Sequence, residues 1–131
     1  MSKHRLRKRY GHHRYSHSSH SLTFGVLPPF DEFQHHIESG VDDEGRRYLA
    51  AGTKYPIEAA ESDRRVLDAL RVKPSGVGDY GKAKYEFTAK QLYALIKKLM
   101  QKADATRDDE MRESAEGLAS AIMGTLGYEW I

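Results

Sequence analysis

The chain has 131 residues, which suffices for one small domain and excludes folds that need two lobes or a full barrel. Charged residues make up 31% of it and the mean hydropathy is −0.72, so we expect a polar protein with a modest core. No run approaches the roughly 20 apolar residues of a membrane helix, and we expect no membrane partner. Zero cysteines exclude disulfide scaffolds, thiolate nucleophiles and metal sites built on thiolates.

Positive charge is concentrated at the N terminus. Residues 1–20 contain six basic residues and no acidic one, whereas the rest of the chain has a net charge of −4. Five of the seven histidines also lie in this segment, so acidification toward about pH 6 adds positive charge to it. Because the segment offers little to bury, we expect it to be disordered alone in water. We therefore divide the chain into a basic, His/Arg-rich arm, residues 1–21, and a small helical domain, residues 22–131.

The first elements after the arm are predicted to be short. Residues 21–26 favour an extended segment, which the pair Pro28-Pro29 interrupts because proline lacks a backbone N–H. A helix with acidic residues in its first turn and one apolar face follows, and it ends at Gly40. Residues 41–45 form an acidic turn, and residues 46–51 fit a strand or a helix equally well.

Proline and glycine signals mark the middle of the chain. Pro56 favours the first position of a helix over residues 56–70, but Ser62 is an alternative N-cap, and the pattern fits one helix or two. Three glycines and a proline in residues 72–81 indicate a loop, and the alternating polarity of the next six residues favours a strand. Together these signals predict a minor β-hairpin near residues 72–87.

The strongest local pattern lies near the C terminus. Thr88 and Gln91 form a capping box, and the apolar residues that follow recur with helical spacing. Asp104 or Thr106 is suited to cap a second amphipathic helix, which Gly127 ends. Because only a few residues separate the two helices, we predict an antiparallel helical hairpin over residues 89–126.

The predicted elements make a mainly α protein of the small α or α+β class. It has a short N-terminal helix, a C-terminal helical hairpin and a minor β-hairpin, and the disordered basic arm precedes them. This core is thin for its length, so we expect burial against protein partners or self-association through the helical body. The last apolar residues are expected to pack back on the core or on a partner: Tyr128, Trp130 and Ile131.

The composition of the arm favours nucleic-acid binding. Lysine and arginine neutralise phosphates by displacing counterions, whatever the base sequence. The tyrosines between these cations are suited to stack on exposed bases. No base-reading element is present, so we expect low sequence specificity, for DNA or RNA. The alternatives are a solubilising tail, a localisation signal or weak binding to anionic surfaces. The predicted contacts are Lys3, Arg5, Arg7, Lys8, Arg9, Tyr10, Arg14 and Tyr15.

The histidines of the arm also suggest a metal site. His13, His17 and His20 would share one face of a helix and could ligate a borderline metal ion. The segment has little tendency to form a helix, however, and it contains no carboxylate or thiolate ligand. We therefore expect adventitious metal binding and no dedicated metal site.

A glycine motif suggests a cofactor site but lacks the context for one. Residues 76–81 match G-x-G-x-x-G, which in a dinucleotide site follows a strand and opens a helix. Here a proline precedes the motif and a strand-like segment follows it, so we predict a flexible loop or wide hairpin and no cofactor. The lysines near the loop could add a second phosphate contact: Lys73, Lys82 and Lys84.

No catalytic constellation is found in the sequence. His35 and His36 follow Asp31 and Glu32 by one helical turn and make the best acid–base candidate. No nucleophile motif such as G-x-S-x-G accompanies them, so we predict partly exposed surface histidines. The acidic run at residues 42–44 lacks the ligand spacing of an EF-hand and is interpreted as a solvated turn. We predict no catalytic residues and no enzyme activity.

The sequence therefore favours a non-enzymatic accessory or structural protein. It would contact nucleic acid non-specifically through the basic arm, within a larger nucleoprotein or viral particle. The alternative is a protein–protein adaptor or assembly subunit whose arm binds an acidic protein surface. Because no apolar leader follows the charged start, we expect the protein in the cytoplasm or in such a particle and not in the secreted fraction.

Overall fold

The computed structural model describes residues 5–8, 22–23, 27–49 and 54–130. Within these ranges the chain forms four helices and six short strands, which confirms a mainly helical α+β fold. Their bounds are β1 Arg5–Lys8, β2 Leu22–Thr23, α1 Phe30–Ser39, β3 Tyr55–Ala59, α2 Glu61–Ala69, β4 Gly76–Val77, β5 Ala83–Phe87, α3 Ala89–Ala105, α4 Asp109–Thr125 and β6 Tyr128–Trp130.

The predicted C-terminal helical hairpin is confirmed as α3 and α4. Thr88 Oγ1 accepts from the Gln91 N–H at 3.2 Å, and Gln91 Oε1 accepts from the Thr88 N–H at 2.9 Å, so the capping box is formed. The predicted cap of α4 is wrong, because α3 continues past Asp104. The cap is Asp108, whose Oδ1 accepts from the N–H groups of the next turn at 3.0 and 3.3 Å.

The core lies where α3 packs against its neighbours. Leu92, Ile96 and Leu99 of α3 are fully buried, as is Phe33 of α1. Tyr93 fixes the start of α1 from the side, since its hydroxyl donates to the Pro28 carbonyl at 2.6 Å. The helices therefore enclose one continuous apolar cluster, to which both sheets contribute buried side chains.

A three-stranded antiparallel sheet in the order β3-β5-β4 lies beside the helices. The pairing of β4 with β5 confirms the predicted minor β-hairpin. The prediction of a helix beginning at Pro56 is wrong, because Pro56 lies in β3 opposite Glu86. β3 is an edge strand, where a missing N–H is tolerated. Helix α2 begins only after Ala60, and Ser62 lies inside it.

A second three-stranded sheet, in the order β2-β1-β6, joins the two ends of the chain. Antiparallel pairing with β6 and with β2 makes Arg5–Lys8 the central strand. Tyr128 is 1% exposed, which confirms for this residue that the C-terminal tail packs back on the core. The structure does not describe the side chain of Trp130. Residue 131 and the remaining arm residues lie outside the described part of the chain.

The segment between α1 and β3 contains neither of the two predicted elements where it is described. Val41 and Arg47 form an isolated antiparallel bridge around the acidic turn. Asp42 Oδ1 accepts from the N–H groups of Glu44 and Arg46 at 2.9 Å each, and the Arg46 N–H is the main reason that the pKa of Asp42 is lowered. The Asp42 side chain thus closes a solvent-exposed Asx turn.

Candidate nucleic-acid interface

Strand β1 carries three of the predicted phosphate contacts. Strand positions alternate between faces, so Arg5 and Arg7 share one face and Lys8 lies on the other. In the register of β1 with β6, Lys8 pairs with Tyr128, and Arg7 pairs with Glu129.

The other predicted contacts lie outside the described residues, but the topology defines how they are attached. Lys3 precedes β1, whereas Arg9, Tyr10, Arg14 and Tyr15 fall in the connection between β1 and β2. Arg5 pairs with Thr23 and Leu6 with Leu22, so this connection is closed by a strand ladder at its base. The basic segment is thus tied to the domain at both ends, whereas a free arm would be tied at one.

Basic and acidic residues are separated between the two C-terminal helices, which the net charge of the chain does not show. Helix α3 has a net charge of +3 and α4 has −3, although both contain 17 residues. Lys90, Lys97 and Lys98 are exposed on the face of α3 opposite its buried stripe. A net charge of −4 outside the arm does not reveal this basic face. The positions of Lys90, Lys97 and Lys98, seven and eight residues apart, place them on one side of a helix and are the sequence signal for it.

The glycine motif forms the turn of the β4–β5 hairpin, as predicted. A short 3₁₀ turn at Asp79–Gly81 joins the strands, and the Gly78 N–H donates to the Lys82 carbonyl at 2.7 Å. Glu58 of β3 fastens this turn, since its Oε1 accepts from the Asp79 N–H at 3.1 Å. A Cβ at position 78 would collide with the Glu58 carboxylate, so the glycine permits this contact. The turn is fixed by a neighbouring strand rather than left flexible.

The two neighbouring histidines of α1 have different environments. His35 is exposed, as predicted, but His36 is 5% exposed and the prediction of a surface position is wrong for it. The Nε2–H group of His36 donates to the Leu126 carbonyl at 2.7 Å, and its ring lies 4.7 Å from that of Tyr128. His36 therefore ties α1 to the end of α4, a role that holds the sheet containing β6 against the helices.

Tyr85 of β5 carries a buried hydroxyl group. Its hydroxyl oxygen has no hydrogen-bond partner among the described residues, and the side chain is 1% exposed. Burial raises the pKa of Tyr85, the charge of Asp68 raises it further, and the charge of Arg64 opposes both effects. The phenol is therefore neutral at physiological pH and lies within electrostatic range of two charged residues of α2.

The described ranges contain no group of three or more His, Asp or Glu side chains placed to hold a metal ion. The histidines singled out as candidate ligands, His13, His17 and His20, fall outside those ranges. None of the helices described is both long and apolar enough to cross a bilayer.

Comparison with protein-family models, with curated proteins and with solved structures gives no match to this chain.

Proposed function

We propose that this protein is a non-enzymatic accessory or structural protein that binds nucleic acid with low sequence specificity through its basic segment, defined as residues 3–15. The observation that carries the proposal is the pairing of β1 with both β2 and β6. It joins a segment of high positive charge and no carboxylates to a folded domain.

The charge of the segment is suited to phosphate. Each lysine or arginine that contacts a phosphate displaces condensed counterions, which makes the affinity fall steeply with salt. Arg5 and Arg7 lie in β1, and Arg9 and Arg14 fall in the connection between β1 and β2. Closing a segment at both ends lowers its conformational entropy before binding, so less entropy is lost when it contacts a ligand.

The acidic surfaces of the domain restrict where a polyanion binds. Helix α4 has four carboxylates against one arginine, and they repel phosphate from that side. The exposed lysines of α3 are the largest basic alternative on a described helix. A test must therefore separate the basic segment from α3.

The test is fluorescence anisotropy with labelled single- and double-stranded oligonucleotides over roughly 50 to 300 mM salt. The variant replaces two cations of the closed connection, Arg9→Gln with Arg14→Gln, in the full chain. Deleting residues 1–21 would be a poor test because it removes β1 and leaves β6 without its partner. The control removes the same charge from α3 by Lys97→Gln with Lys98→Gln, both exposed.

The arginine variant is expected to reduce the slope of log K against log salt by about 1.4 on single strands and about 1.8 on duplex. The lysine control is expected to leave that slope unchanged. Equal losses in both variants would assign the binding to diffuse charge and contradict the proposal. No binding at the lowest salt would also contradict it and favour the acidic protein surface as the partner of the segment.

A further inference from the structure

An open cleft of about 630 Å³ lies between the start of α2 and the turn of the β4–β5 hairpin. Its walls carry three cations, Arg64, Arg65 and Lys82, against two carboxylates, those of Glu61 and Asp68. The cleft thus has an excess of positive charge in a domain whose residues outside the arm sum to −4. The basic segment at the N terminus contributes no residue to the lining of this cleft.

Two of the three cations are available to a ligand. The side chains of Arg64 and Lys82 make no ion pair with any described residue, whereas Arg65 lies 3.6 Å from the exposed Glu110 carboxylate. Arg64 and Lys82 come from different elements, α2 and the residue before β5, and so approach the cleft from two walls. A cation on each wall is an arrangement suited to a phosphate placed between them.

The rim of the cleft presents an aromatic ring to solvent. Tyr80 lines the cleft and is 98% exposed, which is unusual for a side chain of this size. Its backbone has a φ of +57°, a left-handed conformation that is strained for a tyrosine. The hydrogen bond that the Asp79 N–H donates to Glu58, and the bonds across the turn, hold the backbone in this conformation. The ring is therefore a preformed flat surface that lines the same cleft as two cations without an ion pair to any described residue.

We propose that this cleft binds one nucleotide of a single-stranded nucleic acid, with its base stacked on Tyr80 and its phosphate between Arg64 and Lys82. This inference rests on the proposed function and deepens it by naming the substrate class. A base inside a duplex has both faces covered by its neighbours, so only an unpaired base reaches the ring. The basic segment then supplies affinity for any polyanion, and the cleft supplies the preference for single strands.

The test measures Kd by anisotropy for a labelled mixed-sequence single strand of about 12 nucleotides and for its duplex, using the full chain. The variants are Tyr80→Ala, which removes the ring, and Tyr80→Phe, which keeps it. Val77→Ala is the matched control because Val77 is 76% exposed on the same hairpin. Circular dichroism verifies that each variant is folded.

The expected result is a 5- to 150-fold weaker single-strand Kd for Tyr80→Ala, the range of one base–aromatic stack. The duplex Kd of Tyr80→Ala, and the single-strand Kd of Tyr80→Phe and of Val77→Ala, should stay within about twofold of the wild-type values. The pair Arg64→Gln with Lys82→Gln should reduce the single-strand salt slope by about 1.4. A single-strand Kd of Tyr80→Ala within twofold of the wild type overturns the inference.

The two proposals fail in different ways. If the Arg9→Gln/Arg14→Gln variant loses affinity and Tyr80→Ala does not, the basic segment binds and the cleft inference is wrong. If Tyr80→Ala loses single-strand affinity and the arginine variant does not, the cleft binds and the segment is not the interface. If neither variant changes the affinity, both proposals are wrong.

Discussion

Two pairs of antiparallel strands are each joined by a segment that contains tyrosine and basic residues, and different contacts hold the two pairs. The β4–β5 hairpin is held by its neighbour β3, through the hydrogen bond that the Asp79 N–H donates to Glu58 and through strand pairing. The β1–β2 hairpin has two ladder positions of its own, and its main support is β6 at the other end of the chain.

The difference concerns what each hairpin needs before it can form. The β4–β5 turn closes a short stretch of chain, so its entropic cost is small, and β3 supplies the one further contact described above. Pairing of β1 with β6 joins residues near both ends, and Tyr128 of β6 packs against Phe33 and His36 of α1. We therefore expect the support of the β1–β2 pair to depend on the packing of α1, whereas the turn that carries Tyr80 depends on β3.

The largest effect is expected from breaking the support of the β1–β2 hairpin. Tyr128→Ala removes a buried ring that stacks on Phe33 and contacts His36, and it should lower the free energy of unfolding by about 3–5 kcal/mol. Urea unfolding followed by circular dichroism measures this. The control is Tyr80→Ala on the other hairpin, where the ring is 98% exposed and its loss should cost nothing measurable. Equal effects of the two substitutions would contradict the comparison.

The next effect tests the turn of the β4–β5 hairpin. Gly81 has a φ of +75° and open space around it, so Gly81→Ala introduces backbone strain without a clash and should cost about 1–2 kcal/mol. Gly76→Ala is the matched substitution, also in open space but with no positive φ. It should be neutral or stabilise by up to about 1 kcal/mol through the unfolded state. Thermal unfolding of both variants decides, and a cost for Gly76→Ala as large as for Gly81→Ala would refute the turn geometry.

A smaller effect is expected where the β4–β5 hairpin passes into α3. Thr88→Ala removes the hydroxyl that accepts from the Gln91 N–H and should cost about 1 kcal/mol. Thr88→Ser keeps that hydroxyl and should change the free energy of unfolding by less than about 0.5 kcal/mol. Chemical denaturation distinguishes them. A cost as large for serine as for alanine would show that the methyl group, and not the cap, stabilises this junction.

The smallest effect concerns the ion pair between α2 and α4. The Arg65 and Glu110 side chains are 65% and 85% exposed and lie 3.6 Å apart, so a double-mutant cycle with Arg65→Gln and Glu110→Gln should give a coupling below about 1 kcal/mol. The coupling should also shrink in about 1 M salt, where charges are screened over about 3 Å. A stronger, salt-independent coupling would mean that Arg65 is fixed on Glu110 and unavailable to the cleft beside the β4–β5 turn.

Only those candidate site residues that stand out by charge and composition could be predicted from the sequence. The cations of the basic segment were identified from the sequence, because a block of like charges without carboxylates needs no tertiary information to recognise. The cleft was not, because Arg64 belongs to a helix and Tyr80 to a turn that share no local pattern. The sequence suggests Lys82 as a phosphate contact beside the glycine loop, but it does not indicate that Arg64 lines the same cleft.

The sequence by itself determined the elements whose contacts lie close along the chain. The capping box joins residues three apart, the stripes of α3 and α4 repeat within each helix, and the glycines allow the β4–β5 turn. In these elements the conformation that the local sequence favours is also the one found in the folded domain, and tertiary packing only buries their apolar side chains.

Only the tertiary structure decided the remaining features. Pro56 favours a helix start when considered alone, yet it lies in a strand because β5 offers β3 a partner from a later part of the chain. Arg5–Lys8 has little to bury and forms a strand because β6 supplies hydrogen-bond partners for its backbone. His36 is buried because the end of α4 places a carbonyl against its ring. Each outcome depends on a partner far away in sequence, and such a partner exists only once the helices have packed.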